Sequence, residues 1–448
     1  MPSTQTADET APYLAQFEAV AANGASAVPA WLKQLREQAI QQFVALGFPT
    51  TRDERWRFTS LKSLAAVNFT LPKHRDDVTP ESLQQYLLPG DKGVRLVFVN
   101  GAFVESLSTV PELPTGCTVG SLAGAFDSDV VREHLGRTAP DGDNPFTALN
   151  TAFANDGAFV HLPPDVVLER PVQILFVSTP QDQPAMSHPR NLFILERGAS
   201  AEFVESYVGL TDGSYLTNTV TEIIVADGAR ADCYRVQRES KSAYHIATTN
   251  SQLGKDSRFG LTSVTLGAAL SRHDILMSMQ GEGGDGTLNG LYLVDEKQHV
   301  DHNTVIEHAV PHCDSHEYFN GILDGHSRAV FNGKIIVRPD AQKTDSKQTN
   351  NNLLLSEWAR ADSQPQLEIY ADDVRCTHGA TLGPLDQEAI FYLQSRGLNA
   401  LAARALLTRG FGDEILKRVA IPELRGQLEV LLKNWLDRGE QGQERLSP

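Results

Sequence analysis

The sequence is short of cysteine and of positive charge. Only four cysteines occur in 448 residues, and no two of them form a Cys-x-x-Cys pair. This excludes a disulfide framework and a structural zinc knuckle. The formal net charge of -17 repels phosphate backbones, so we expect no nucleic acid partner. The cysteines are Cys117, Cys233, Cys313 and Cys376.

Long apolar runs are also missing. No stretch approaches the roughly 18 apolar residues of a membrane-spanning helix. The first residues, MPSTQTADET, have neither the basic start nor the apolar stretch of a signal peptide. We therefore expect a cytoplasmic protein with no membrane partner.

The pattern of apolar residues divides the chain into five regions. Residues 1–27 and 439–448 are polar and are predicted to be mobile tails. Residues 28–150 begin with a helical pattern and form a helical or mixed region. Residues 151–382 consist of short apolar runs punctuated by glycine. In residues 383–438 the period is 3.6, which predicts a C-terminal helical bundle.

The central region has the features of stacked β-coils. The segments at 195–207 (LERGASAEFVESY) and 225–237 (VADGARADCYRVQ) share one pattern, thirty residues apart. Asn-Gly pairs at Asn289, Asn320 and Asn332 are interpreted as tight turns, since both residues tolerate positive φ. Many short strands without helical periods between them favour an all-β solenoid or sandwich over βαβ units. Of these we predict a mainly β fold with a parallel β-helix core.

Cys376 and His378 lie where an extended segment gives way to a helix. Side chains at i and i+2 of a strand project from the same face. A thiolate and an imidazole could therefore converge, a combination suited to zinc, copper or iron with sulfur. Taken without further context, a buried and inert Cys376 is the better explanation.

A second group of metal-binding residue types falls within eighteen positions. A zinc protease motif would need His-Glu-x-x-His on a helix, but Pro311 and several β-branched residues argue against a helix here. We therefore predict that these residues are structural or interfacial rather than a fixed metal site. The group comprises His299, His302, His308, His312, Cys313 and His316.

Two other motifs have alternative interpretations. Asp372 and Asp373, with His378, could serve a β-helix carbohydrate hydrolase or lyase, although adjacent strand residues point to opposite faces and could flank one bond only across a bulge. Trp56 and Phe58 stand among arginines in DERWRFTSL. Here we predict a packed, salt-bridged start of a helix rather than a nucleic acid site.

Longer motifs resemble the SufB/SufD family of iron-sulfur cluster assembly proteins. More than seventy residues match in order from Val310 to Gly383, including QKTD at 342–345 and CTHGAT at 376–381. The resemblance extends upstream through LNTAFANDGAFVHLPPDVVLERPVQI and downstream through ARALLTRGFGDEI. The tryptophan motif, the length and the scarcity of cysteine are most like the SufD branch. SufB chains are typically longer and richer in cysteine.

The resemblance implies a right-handed parallel β-helix between an N-terminal helical region and a C-terminal helical bundle. It implies a scaffold subunit of the SUF (SufBCD) complex that is not itself an enzyme. Such a subunit pairs with a SufB-like paralogue and docks a SufC-like ABC ATPase, with a homodimer as the alternative in isolation. This chain has no Gly-x-x-x-x-Gly-Lys-Ser/Thr loop, so nucleotide hydrolysis is expected in the partner ATPase.

The resemblance also assigns residues. His378 matches a family histidine that is a candidate ligand of a transient iron-sulfur cluster shared with the partner, and Cys376 is its neighbour on the same segment. Reduced flavin has been associated with the complex, but no dinucleotide fingerprint here supports it. The stretch from Ala405 to Ile415 matches the helix that docks the ATPase. Its predicted apolar surface comprises Leu406, Leu407, Phe411 and Ile415.

Overall fold

The structure is a computed structural model that describes residues 4–24, 28–73, 78–90, 93–138, 142 and 144–444, with side chains at 4–8, 23–24 and 438–444 left out. The helices are α1 (Thr4–Gly24), α2 (Ala30–Leu46), α3 (Lys62–Ala65), α4 (Pro80–Leu83), α5 (Asp129–His134), α6 (Pro145–Phe153), α7 (Gln387–Ser395), α8 (Ala400–Leu416) and α9 (Pro422–Glu444). The strands are β1 (Arg95–Val99), β2 (Ala102–Phe103), β3 (Thr118–Ser121), β4 (Ala158–Leu162), β5 (Val172–Ser178), β6 (Ala185–Ser187), β7 (Arg190–Leu195), β8 (Ser200–Gly209), β9 (Tyr215–Val225), β10 (Arg230–Arg238), β11 (Tyr244–Leu253), β12 (Arg258–Thr265), β13 (Leu270–Met279), β14 (Asp285–Val294), β15 (His299–His308), β16 (Asp314–Leu323), β17 (Arg328–Val337), β18 (Asp345–Leu354), β19 (Arg360–Ile369) and β20 (Arg375–Gly383).

Two sheets, each built mainly of parallel strands, form a β-solenoid. One sheet runs from β1 through β5 and the even strands β8 to β20, and the other from β4 through β7 and the odd strands β9 to β19. Each coil therefore gives one strand to each sheet. Ser200 pairs with Arg230, and Arg230 pairs with Arg258, so the thirty-residue sequence repeat is one coil. The predicted parallel β-helix is confirmed.

Glycine serves two purposes in the coils. Gly198 and Gly228, both in the repeated motif, have φ of 70° and 67° and turn the chain between sheets. The Asn-Gly pairs do not form turns, contrary to our prediction. Gly290, Gly321 and Gly333 lie inside strands, where a Cβ would collide with a buried side chain such as the Phe319 ring beside Gly290. These glycines make room for large neighbours in the solenoid.

The first helix contradicts the prediction of a mobile tail over residues 1–27. Tyr13 of α1 is only 5% exposed, and its ring packs edge-to-face on Phe43 and Phe48 with centroids 5.5 and 5.6 Å apart. The Gln16 amide donates to the Phe69 carbonyl at 2.8 Å. The pattern escaped detection because few large apolar residues of α1 face the protein. At the other end, α9 continues to Glu444, and residues 445–448 lie outside the described part of the chain.

The N-terminal region is attached to the solenoid by an arginine. Trp56 is buried in a 3₁₀ turn, and the Arg272 guanidinium lies 3.9 Å from the centre of its ring. Arg272 also donates to the Arg55 carbonyl at 2.9 Å and to Asp274 at 2.6 Å. The predicted packing of the tryptophan motif is present, and the cation over Trp56 comes from β13. None of the described helices is long and apolar enough to span a bilayer.

A buried ion pair joins α6 to the solenoid. Arg190 and Glu222 are both fully buried and lie 2.5 Å apart. Arg190 also donates to Asn150 at 3.2 Å and to Thr151 at 3.0 Å, while Glu222 accepts from the Thr138 hydroxyl at 2.7 Å. Each charged group thus makes several hydrogen bonds. Because two of those from Arg190 go to side chains of α6, the pair orients α6 on the sheet.

We predict that Arg190→Met lowers the free energy of unfolding by about 3 to 5 kcal/mol, because it leaves the Glu222 carboxylate buried without a countercharge. Urea unfolding followed by circular dichroism measures the change. The double variant Arg190→Met/Glu222→Gln should recover part of the loss. A loss below about 1 kcal/mol in the single variant would contradict this account.

Candidate functional site at the open end of the solenoid

The last coil has an open edge. Strands β19 and β20 are each paired on one side only, with β17 and β18. Backbone groups along such an edge are available for pairing with another chain. Large apolar side chains remain exposed near the same edge: Trp358, Ile369, Tyr370 and Leu382.

Cys376 and His378 lie on this edge, and their side chains are on the same face of the sheet as the solenoid interior. Cys376 is in register with Ser346, and His378 with Gln348, and both partners are buried. Cys376 is half-buried against the apolar core. Burial and the charge of Asp345 raise the pKa of its thiol. His378 is exposed. The structure thus places both side chains on one face of β20, and the imidazole is more accessible than the thiol.

A carboxyl and an amide lie directly behind His378. Glu317 and Gln348 are each only 2% exposed, and Gln348 Nε2 donates to Glu317 Oε2 at 2.6 Å. Burial raises the pKa of Glu317 to about 7. In register, Glu317 of β16, Gln348 of β18 and His378 of β20 form one interior row.

A second polar group adjoins this row. Tyr292 donates to Asn352 Oδ1 at 2.6 Å and accepts from Asn350 Nδ2 at 3.0 Å. The Asn352 amide donates in turn to Asn350 Oδ1 at 2.8 Å. The His302 ring stacks on Tyr292 with centroids 5.2 Å apart. Near the open end, hydrogen-bonded amides and rings thus share the interior with aliphatic side chains such as Ile335 and Val337.

Farther inside, a neutral imidazole bridges two charges. His245 Nδ1 lies 2.5 Å from Glu239, and Arg235 contacts His245 Nε2. Burial lowers the pKa of His245, while the pKa of Glu239 is lowered by His245 against the effect of its own burial. The arrangement requires Nδ1–H to donate to Glu239 and Nε2 to accept from Arg235. Nearby, Tyr207 donates to Glu205 at 2.8 Å.

Sequence reasoning missed these interior polar residues. A signal was present, because Glu205 and Arg235 occupy the same position in successive copies of the repeat. Each lies two positions away from a buried apolar residue of its own strand and therefore faces the interior as that residue does. Charged residues at the same inward position of successive copies indicate that charged groups are paired in the interior.

The histidine-rich segment is divided among different environments. His302 and His308 are interior, and burial lowers their pKa values to about 3 and about 4. His299 lies against the N-terminal region, with Nε2 2.9 Å from the Thr59 hydroxyl. His312 and His316 are exposed, whereas Cys313 is buried. Within the described residues, no three potential ligands converge on a metal site.

The paired aspartates lie outside the strand that carries His378. Asp372 and Asp373 are exposed in the turn before β20, and the Asp373 carboxylate forms an ion pair with Lys343. The alternative of a carbohydrate hydrolase or lyase gains no support from their positions.

Sequence comparison identifies the family. The model described as "SUF system FeS cluster assembly, SufBD core domain" matches residues 176–411, more than half of the chain. The chain belongs to the SufBD family. A model of the SufBD N-terminal region matches residues 7–174. The core match includes the whole row of Glu317, Gln348 and His378.

Relatives similar over most of the chain agree with this assignment. A SufBD family protein of Synechocystis is 36% identical over 88% of each chain. SufD of Escherichia coli is 30% identical over 88% of this chain and 90% of its own length. SufD of Bacillus subtilis is 27% identical over 90% of this chain and 94% of its own. The predicted likeness to SufD is confirmed, and the family role is iron-sulfur cluster assembly in the SUF system.

Within this SufBD-family chain, the predicted docking surface on α8 needs correction. Ile415 is fully buried, and Phe411 is half-buried between the solenoid and the other C-terminal helices. Leu407, Phe411 and Ile415 are spaced by four and so share the inward face of α8. Of the four predicted residues, Leu406 is the most accessible, at 51% exposed. On the preceding helix α7, Phe391 is 72% exposed.

We predict that Glu317→Gln changes how stability depends on pH. The ordinary glutamate pKa is 4.5 and burial raises it to about 7. In that interval the folded chain keeps a proton that the unfolded chain releases. The free energy of unfolding therefore falls as pH rises, by on the order of 3 kcal/mol from this group at about 1.4 kcal/mol per pH unit.

Urea unfolding of both proteins at pH 5 and pH 8 measures this contribution. The difference between them isolates Glu317, because every other titrating group is common to both. The variant should gain stability relative to the native chain on going to pH 8. An equal pH dependence in the two proteins would show that Glu317 titrates near its ordinary value.

Proposed function

We propose that this SufBD-family chain is a non-catalytic scaffold subunit that pairs with a SufB-like paralogue at the open end of its solenoid. It also docks a SufC-like ABC ATPase through its C-terminal helices. The observation that carries the proposal is the unpaired last coil, which holds His378 at its edge. The relatives named SufD support the assignment to a SUF assembly complex.

The open edge suits a second β-helix. Strands β19 and β20 span ten and nine residues, long enough for continuous pairing. Such long exposed edges are a liability in a free monomer. A paralogue with the same coil geometry would satisfy the backbone groups and cover Ile369, Tyr370 and Leu382. In isolation the same edge would allow two copies of this chain to form a homodimer.

The ligands available at this edge explain why a partner is needed. Iron-sulfur clusters usually take about four protein ligands, mostly thiolates, with histidine as an occasional substitute. This chain offers one imidazole at His378 and, beside it, the half-buried thiol of Cys376. A nascent cluster is then cargo held jointly, with the remaining ligands supplied by the SufB-like partner.

Docking of the ATPase is assigned to the outer faces of α7 and α8. Leu406 and Phe391 are exposed apolar side chains there, and no nucleotide-binding loop occurs in this chain. Phe411 and Ile415 contribute by holding α8 on the solenoid, where the Phe411 carbonyl accepts from Asn320 at 2.9 Å. Movement of the bound ATPase would then reach the solenoid through α8.

We predict that His378→Ala leaves the complex assembled and its ATPase active but impairs cluster formation in cells. Cys376→Ala should give a milder defect, because this thiol is half-buried and its pKa is raised. The measurement is iron and acid-labile sulfide on the complex purified from its own host. His316→Ala, an exposed histidine on β16, is the matched control. Normal cluster content in the His378→Ala complex would contradict the proposed role of His378 as a cluster ligand.

We also predict that Leu406→Asp weakens retention of the ATPase by about 2 kcal/mol or more, roughly 30-fold in affinity, because a charge replaces an apolar anchor. Copurification and titration with the ATPase measure the effect. Val110→Asp changes a residue of the N-terminal region that is 45% exposed and should bind normally. Unchanged retention in both Leu406→Asp and Phe391→Asp would place docking elsewhere.

A further inference from the structure

An unpaired amide oxygen lies directly behind His378. Gln348 is 2% exposed, and its Nε2 donates to Glu317 at 2.6 Å. Its Oε1 is buried and has no hydrogen-bond partner among the described residues. Burying such an acceptor without a partner is unfavourable, so a donor outside these hydrogen bonds is expected for the oxygen.

The side-chain oxygens of the other amides on β18 all accept a hydrogen bond. Asn350 Oδ1 accepts from Asn352 at 2.8 Å, and Asn352 Oδ1 accepts from Tyr292 at 2.6 Å. Asn351 Oδ1, on the opposite face, accepts from Thr381 at 2.7 Å. Gln348 therefore differs from its neighbours in the same strand.

Glu317 determines which way the Gln348 amide points. Above its pKa of about 7, Glu317 is an ionised carboxylate that only accepts hydrogen bonds, so the NH₂ group must face Glu317 and the oxygen must face away. Gly333 of β17 makes room for this arrangement, since a Cβ there would collide with Gln348 Nε2. The site is thus shaped around one orientation of the amide.

His378 offers a donor on the neighbouring strand. It is the register partner of Gln348, one strand spacing of about 4.8 Å away on the same face. The imidazole has no hydrogen-bond partner elsewhere in the described part of the chain. Rotation about its side-chain bonds can bring one ring N–H to the amide oxygen.

We propose that Gln348 is a positioning residue for His378. Its Oε1 accepts the proton of one ring nitrogen, and Glu317 holds the amide in the orientation that this bond requires. A neutral imidazole has one N–H and one lone pair, so the bond selects a single tautomer and directs the lone pair toward the open edge. Metal-binding histidines commonly donate their second nitrogen in this way. The iron-binding consequence rests on the proposed function, whereas the hydrogen bond does not.

The test is the tautomer of His378 in the full-length protein, read from imidazole ¹⁵N shifts after selective histidine labelling at pH 8. His378→Ala assigns the signal. We expect one dominant tautomer in the native chain and a mixture in Gln348→Leu, which removes the acceptor. Glu317→Gln keeps the volume but frees the amide to flip, and it should also give a mixture. Gln364→Leu, on the opposite face of the last coil, is the matched control and should leave the native signal.

Two results would overturn the proposal. An unchanged tautomer ratio in Gln348→Leu would show that the amide oxygen binds water instead, as would a mixture already present in the native chain.

The consequence for assembly is measured separately. Within the complex, Gln348→Leu should lower cluster content by about 10-fold or more if His378 is a ligand. Normal clusters in His378→Ala would end the ligand role while leaving the tautomer result to decide the positioning role.

Discussion

The register between successive coils is the constraint on which the rest of this structure depends. Because Ser200, Arg230 and Arg258 pair in line, each inward position is repeated from coil to coil. A ring or charge placed inside one coil must therefore be accommodated by the next. Phe98 and Phe176, register partners on β1 and β5, show the apolar solution, with stacked rings 5.0 Å apart. Gly290 shows the complementary solution, where one coil gives up a side chain so that its neighbour can keep a ring.

The interior contains polar groups in several coils, and they are tolerated because they are hydrogen-bonded to one another. Arg235, His245 and Glu239 form a linear set in which a neutral imidazole links opposite charges. Breaking such a set by removing one member would leave a buried charge unpaired. The row from Glu317 through Gln348 then brings polar character to the open edge, where a ligand can use it. A wholly aliphatic core would end in a surface with nothing to orient His378.

The helical regions cover the outer faces of the sheets and leave the end of the solenoid open. Arg272 and Trp56 hold the N-terminal region, and Asn320 holds α8 through the Phe411 carbonyl. These attachments lie on the sides of the coils, so neither encloses β19 or β20. The protein thus has two separate exposed surfaces, the unpaired edge of the last coil and the outer faces of α7 and α8.

The sequence alone was enough for the parallel β-helix, the C-terminal helices and the strand that carries Cys376 and His378, because period and repeat length are local properties. It also supported the family assignment through long ordered motifs. It did not predict that α1 packs on the protein, that the Asn-Gly pairs lie inside strands, or that Ile415 is buried. Nor did it reveal that Glu317 and Gln348 stand behind His378. The packing of α1 and of Ile415 depends on contacts between elements distant in the sequence. The positions of the Asn-Gly pairs and of Glu317 and Gln348 depend on which coil lies against which, since residues about thirty positions apart become neighbours only when the strands pair in register.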